Sequence, residues 1–412
     1  MSSGQLYDFV AIGGGAAGYF GAIAYAESAP GSRVAILEKT GSVLGKVKIS
    51  GGGRCNVTHA CFDAKPLAAY YPRGQKNLIG PFHRWGASDT VNWFKARGVE
   101  LKTESDGRMF PTTDDSTTIM NCLTRSVDEA GVEVRLHTGV KSLTSTDHGW
   151  ELELDYGEVI TSRSVLLATG GTRNGAGVSL AGDLGHEIVP ASPSLFTFKI
   201  GDSRLKGLSG VSVGLVEASV RGTKLRMQGP CLITHWGLSG PAILKLSSWG
   251  ARELAERNYC FEVAINWCGG AKIDEVGEWL QETRKNSPKK RVRSGVPSIE
   301  IPARLWQRLV EKSGIDDEVT WSNLSKASRS RLLENLVNSR FPVNGKSMNK
   351  DEFVTAGGVA LSEVNFKTME SRVAPGLYFA GEVLDIDGVT GGFNFQAAWT
   401  TSRIAGESAA QS

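Results

Sequence analysis

Three glycines at fixed spacing constrain this chain more than any other feature. Gly13, Gly15 and Gly18 separate the apolar run 6–12 (LYDFVAI) from an alanine-rich stretch ending near Ser28. A second apolar run, 33–38 (RVAILE), follows. The order predicts strand, tight turn, helix and strand, which begins a parallel sheet. Gly13 suits the turn, Gly15 lets backbone approach a pyrophosphate, and Gly18 lets the helix pack closely on the strand. The helix start then offers N–H groups, from Ala16 and Ala17 onward, to phosphate oxygens. Glu38 stands 20 residues after Gly18, at the end of the second strand and beside Lys39. A carboxylate there accepts hydrogen bonds from ribose hydroxyls and repels a 2′-phosphate, which favours FAD or NAD over NADP. The 18 uncharged residues from Phe9 to Ala26 reach the lower limit for a membrane span. Their five glycines, with no basic residue before them, argue for buried strand, turn and helix, neither membrane segment nor signal peptide.

Three further glycine-rich stretches carry candidate ligand contacts. Residues 45–56 (GKVKISGGGRCN) set Ser50, Gly51, Gly53 and Asn56 among the cations Lys46, Lys48 and Arg54. Such a turn suits backbone pressed against a planar or anionic ligand, with cations for a diphosphate or a reduced flavin. Thr169 and Gly170 follow the predicted buried strand 163–168, where open α/β sheets bind ligands. Gly381 and Glu382 end another predicted strand at 375–381, and Asp385 and Asp387 come next. An acidic side chain there suits ribityl hydroxyls. Gly391, Gly392, Phe393 and Asn394 then open a predicted helix at 392–408, whose N-terminus suits the flavin pyrimidine.

At 412 residues the chain exceeds one hydrophobic core, so two or three domains are expected. Between about 190 and 350 the texture changes to short strands, then to three predicted helices at 274–285, 302–313 and 321–340. A small β-domain, a barrel in outline, interrupted by a helical insert fits this order. The 46 basic and 43 acidic residues leave a net charge of +3, too balanced for a dedicated nucleic-acid binder. The basic run 284–293 reads as a solvated loop, since it lacks the interleaved aromatics of a stacking surface. Six scattered cysteines without zinc spacing fit a reduced, cytoplasmic setting and no metal site.

The stretches LGKVKISGGGRCNVT, LLATGG, LITHWGLSGPAIL, TAGGV and GLYFAGEVLDIDGVTGGFNFQAAW span almost the whole chain. On them the chain resembles the aminoacetone oxidase-like (BaiN/YhiN-type) family of NAD(P)/FAD-dependent oxidoreductases. The resemblance implies an α/β fold with a glutathione-reductase-type FAD-binding Rossmann domain. That domain is discontinuous, made of 1–190 and 350–412. A β-barrel domain of 191–270 and 340–349 is inserted, and it carries a small helical bundle at 271–339. FAD is implied, held by residues that match Gly13, Gly15, Gly18, Glu38, Ser50, Gly51, Arg54, Asn56, Thr169, Gly381, Glu382, Gly392, Phe393 and Asn394. Val140 matches the strand residue that such folds set against adenine. One departure is visible: 172–177 (TRNGAG) lacks the Pro-Lys-Thr-Gly-Ser-Thr-Gly-Asp run usual after the paired glycines.

The implied chemistry is oxidation or reduction of a small organic substrate. The flavin is reduced by NAD(P)H or by the substrate itself. No second GxGxxG offers a nicotinamide domain, so any NAD(P)H visits transiently. His235, in 234–241 (THWGLSGP), and Arg54 are the candidates for catalysis, with His235 read first as a packing residue and next as a proton shuttle. Two alternatives stay open. One is a flavoprotein whose FAD is structural or supports an interaction. The other is a disulfide reductase using Cys55 and Cys61, although their C-x5-C spacing departs from the usual redox pair.

Overall fold

A computed structural model describes residues 6–171, 175–295, 300–347 and 354–412. The departing residues 172–174 lie outside the described set. The chain divides into two compact units, Met1–Ser192 with Val354–Ser412, and Pro193–Phe353. Each has its own cluster of buried apolar side chains, as expected for a chain too long for one core.

The first unit is built on five parallel strands. Strand β1 (Leu6–Ile12) pairs with β2 (Val34–Leu37) on one side and Val159–Leu167 on the other. Glu133–Arg135 extends the sheet beyond β2, and Leu377–Phe379 extends it beyond Val159–Leu167. All four residues of β2 are buried, the mark of a parallel strand covered on both faces. Helix α1 (Ala16–Ser28) connects β1 to β2. It packs on the C-terminal helix Phe393–Ala409, so both ends of the chain build one layer. Contact there is close: a side chain at Gly406 would overlap the Gly21 carbonyl. The hairpin Val140–Thr146 and Gly149–Leu154 adds antiparallel strands to the sheet. Among the described residues, no helix is long and apolar enough to cross a membrane.

The second unit holds a seven-stranded antiparallel sheet. Its order is Ser339–Asn344, Cys260–Asn266, Ser212–Val220, Arg226–Ile233, Gly237–Ser239, Thr197–Lys199 and Lys346–Ser347. The first and last strands are one stretch of chain joined at Gly345. Gly345 donates to Tyr259 O (2.9 Å) and accepts from Lys199 N (3.0 Å), so this stretch serves both ends of the sheet. Three helices, Ile273–Asn286, Ala303–Lys312 and Lys326–Val337, contribute to the same core.

The third of these helices corrects the expectation of a helix over 321–340. A 3-10 turn at Trp321–Asn323 comes first, and Ser325 starts a new helix by accepting from Ser328 N (3.1 Å). Residues 339–344 are a strand whose side chains alternate buried and exposed, with Pro342 on the exposed face. The leucines at helical spacing hid the change of period at Asn338.

Candidate active site

The parallel strands end together, and the candidate residues lie at their carboxyl ends. Gly13 follows β1, Glu38 follows β2, Thr169 follows Val159–Leu167, and Gly381 and Glu382 follow Leu377–Phe379. Backbone bonds tie these ends into one rim: Gly13 N to Leu37 O (2.8 Å), Ala168 N to Ile12 O (3.0 Å) and Ala380 N to Leu167 O (3.1 Å). Ligands bind at this edge in open parallel sheets.

The three fingerprint glycines meet different surroundings. Gly13 has φ +114°, and a Cβ there would crowd the Ala168 carbonyl. A Cβ on Gly18 would overlap the Gly13 carbonyl oxygen, so Gly18 is needed for close packing. A Cβ on Gly15 would meet nothing within 4 Å. Gly15 caps α1 without a side-chain hydrogen bond, and the first turn carries no acidic residue. The amides of Ala16, Ala17 and Gly18, in the first turn, have no intrahelical partner.

Glu38 reaches into the same loop. One carboxylate oxygen accepts from Gly14 N (2.8 Å), and the other accepts from Thr40 N and Oγ1 (both 2.8 Å). A carboxylate has about four lone-pair sites, so acceptor capacity remains for a hydroxyl. Lys39 is exposed beside it. Val140 is half-buried at the start of its strand, two residues after Thr138, whose N–H donates to Glu38 O (2.8 Å).

The 45–56 cluster is not the continuous loop that its glycines suggest. It forms α2 (Gly45–Gly53), two short helical pieces broken at Ser50–Gly52, where Gly51 and Gly52 take φ +59° and +70°. Lys46 forms an ion pair with Glu382 across the rim, beside Gly171. Ser50 Oγ donates to Val47 O (3.2 Å), while Gly53 faces open space. Gly170 is likewise open, with φ +78°.

Arg54 does not bring free positive charge. It pairs with Glu104 (2.6 Å) and Asp114 (3.4 Å) and lies over the Phe110 ring (4.0 Å). The Glu104 hydrogen bond raises its pKa further.

The C-terminal helix starts from a turn held by the protein itself. Asn56, buried, accepts from Gly392 N (3.0 Å) and donates to Thr58 O (3.1 Å). Asn394 closes the turn by accepting from Gly388 N (2.7 Å) and donating to Gly388 O (3.1 Å). Phe393 is buried against Tyr70 (4.3 Å between ring centroids) and His59 (4.7 Å). Gly392 lies against Thr58, whose carbonyl oxygen would lie 2.5 Å from an added Cβ. One expectation is corrected here. Asp387 does not face ribityl hydroxyls: it is fully buried and paired with Arg73.

Sequence reasoning missed Arg73 and its neighbours. Tyr70–Gly74 runs beside 386–393: Val389 N donates to Tyr70 O (3.0 Å), Tyr71 Oη donates to Phe393 O (2.5 Å), and Gly74 sits against Ile386. The only local signal was the turn 70–74 (YYPRG). Thr58 and Gln396 form another buried link (2.6 Å) between the short strand Thr58–His59 and the helix.

The cysteine pair is not supported as a redox couple. Cys55 is buried, and that burial pushes its thiol up to about 12, so little thiolate exists near neutral pH. Burial raises the Cys61 thiol as well. Both are free. His235 lies in the second unit, exposed, its ring 4.7 Å from that of Trp236.

Open space at Gly15 and Gly170, uncapped amides at α1 and the carboxylate of Glu38 provide groups that fit a dinucleotide diphosphate and ribose. This is the class that fold and site define: a Rossmann-type dinucleotide-binding protein. The match to the family described as "HI0933-like protein Rossmann domain" covers residues 7–408, and the chain belongs to that family of FAD-dependent oxidoreductases. It is similar to the ribosomal RNA dihydrouridine synthase of Escherichia coli strain K12, 30% identical over 97% of this chain and 96% of that protein. It is also similar to a 3-dehydro-bile acid delta(4,6)-reductase of Clostridium scindens, 29% identical over 97% and 98%. Among solved structures, a 3-ketosteroid-delta4-(5alpha)-dehydrogenase of Rhodococcus jostii RHA1 shares the fold, with a TM-score of 0.54 and 17% identity over 99% of this chain and 97% of that one.

Proposed function

We propose that this protein reduces a carbon–carbon double bond conjugated to a carbonyl, with FAD recharged by transiently bound NAD(P)H. The observation that carries this is similarity along nearly the whole chain to two relatives named for different substrates and one chemistry. Making dihydrouridine saturates the uracil double bond conjugated to a ring carbonyl. A 4,6-diene beside a 3-keto group is conjugated in the same way. When bound and reduced by NAD(P)H, the FAD would supply a hydride to the carbon β to the carbonyl, and a proton taken up at the α carbon would complete the saturation.

The chain's own residues bind and orient. The α1 amides and Glu38 hold diphosphate and ribose. Phe393–Ala409 has no acidic residue in its first turn, so its N-terminal amides favour negative charge. The ion pair of Lys46 and Glu382 joins α2 to the rim beside Gly171.

Of the two substrate classes, uridine in RNA is favoured by charge. The overall +3 conceals a split. Residues 193–353 carry 25 lysines and arginines against 17 acidic residues, and the remainder carries 21 against 26. A unit this basic attracts a polyanion and gives a neutral ring system no advantage.

The test is anaerobic. NADH or NADPH is added to the FAD-loaded protein, and the fall in flavin absorbance is followed. A uridine-containing RNA or a conjugated steroid dienone is then supplied, and reoxidation is timed. Reoxidation by either compound, with loss of its double bond, supports the chemistry, and the faster one names the class. A flavin that nicotinamides do not reduce, or that neither compound reoxidises, would overturn the proposal.

A further inference from the structure

We infer that the hairpin tip at His235–Trp236, with Lys199 beside it, is a stacking platform for an unpaired nucleotide of the RNA. This rests on the reading of the protein as a uracil reductase and adds the surface that receives the chain. Trp236 is 48% exposed, and His235 is exposed with its ring tilted against the indole. Exposed aromatics scattered singly are ordinary. This pair stands on a backbone fixed from three sides. Thr234 Oγ1 accepts from Trp236 N and Gly237 N (both 3.2 Å), and Trp236 O accepts from Ile200 N (2.9 Å). Gly237, with φ +147°, presses its Cα against the Phe198 carbonyl, where a side chain would overlap. The tip thus loses little entropy on binding, which is what makes an aromatic a useful anchor.

The adjoining strand supplies a cation. Lys199, exposed, pairs with Gly237 in the sheet, and its Nζ lies 5.8 Å from the centre of the Trp236 ring. On the next strand, Lys346 pairs with Phe198 and lies over Tyr259 (3.6 Å). Among the described residues neither lysine is ion-paired with a carboxylate, unlike Arg221, Arg226, Arg291 and Arg293 of the same unit. A base stacked on Trp236 sets a flanking phosphate beside the Lys199 ammonium group. Aromatic face and backbone cation are the two parts that single-strand recognition combines.

The test uses the full-length flavoprotein and two polyanions: a fluorescently labelled oligouridylate, and inorganic polyphosphate, which has charge but no bases. Trp236→Ala is expected to weaken oligouridylate binding about tenfold, equivalent to about 1.4 kcal/mol, and to leave polyphosphate binding unchanged. Trp236→Phe should recover most of the loss, and Lys199→Ala should weaken both ligands. FAD content and thermal unfolding report whether each variant is folded. Should Trp236→Ala fail to fold, His235→Ala carries the same comparison. Equal loss on both polyanions, or no loss on either, would overturn the platform. Reduction of the dienone without any oligouridylate binding would also overturn it, while leaving the reductase chemistry standing. Trp236-dependent oligouridylate binding without double-bond reduction would do the reverse.

Discussion

Gly15 and Gly18 are three residues apart, yet substitution tests different things at each. The Gly15 backbone is at φ −90°, a conformation open to alanine, and its Cβ direction is free. Gly15→Ala is expected to fold with an unfolding temperature close to wild type while losing FAD on dialysis. Gly18→Ala meets the Gly13 carbonyl and should lose about 1–3 kcal/mol of stability whether or not FAD is present. Paired unfolding curves with and without FAD check both. If Gly15→Ala keeps its FAD, the diphosphate assignment fails. Burial makes a second prediction. Cys55, Cys231 and Cys268 are each pushed up from 9.0 to about 12, since burial disfavours the thiolate. The folded state then binds more protons than the unfolded one between those values. The contribution of these thiols is complete below about pH 9 and is lost as pH rises toward 12. Unfolding midpoints across that range should fall, and replacing Cys55 with Ser should reduce the slope. The glycine roles were legible because sterics act over one or two bonds. The partners of Arg54 were not, because Glu104 and Asp114 are 50 and 60 residues away.

The C-terminal helix shows a local pattern that also serves the fold. Paired glycines before an apolar helix suggest a helix start opened to a ligand. Gly392 does open that helix, but its missing side chain makes room for Thr58, and Asn56 takes its N–H. Gly392→Val should therefore destabilise the FAD-free protein by at least about 1–3 kcal/mol, with overpacking and a strained φ adding together. Denaturant melts of protein stripped of FAD check this. A variant as stable as wild type without FAD, yet unable to bind it, would return Gly392 to direct ligand contact. Arg73, in the 70–74 turn, braces the start of this helix. Its pairing with buried Asp387, together with the bond between Tyr71 and Phe393, holds the turn from which the helix starts. No periodicity announces such a brace, since both partners lie in irregular chain and meet only after folding. The strand at 339–344 was missed for a related reason. Its alternation is short and follows a helix at once, and only pairing with Cys260–Asn266 makes it a strand.

Over the whole molecule, patterns closed within about 40 residues could be read directly. The βαβ start, the buried strands and the carboxylate after the second strand all follow from local sterics and from side-chain alternation, which act between near neighbours. The buried-strand pattern at 375–381 was legible in the same way, and there the sheet takes its fifth parallel strand. Tertiary structure decided how charge is used. The sequence shows Lys46, Arg54, Arg73, Glu382 and Asp387 as available ions. Folding pairs Lys46 with Glu382 and Arg73 with Asp387, and surrounds Arg54 with carboxylates. It also collects the excess positive charge on one unit, which a chain-wide balance of 46 against 43 conceals. The physical reason is range. Backbone conformation and apolar spacing are set by neighbours along the chain, so they are written in order. Ion pairs depend on distance in space, and more than 300 residues separate the partners Lys46–Glu382 and Arg73–Asp387 until the fold brings them together.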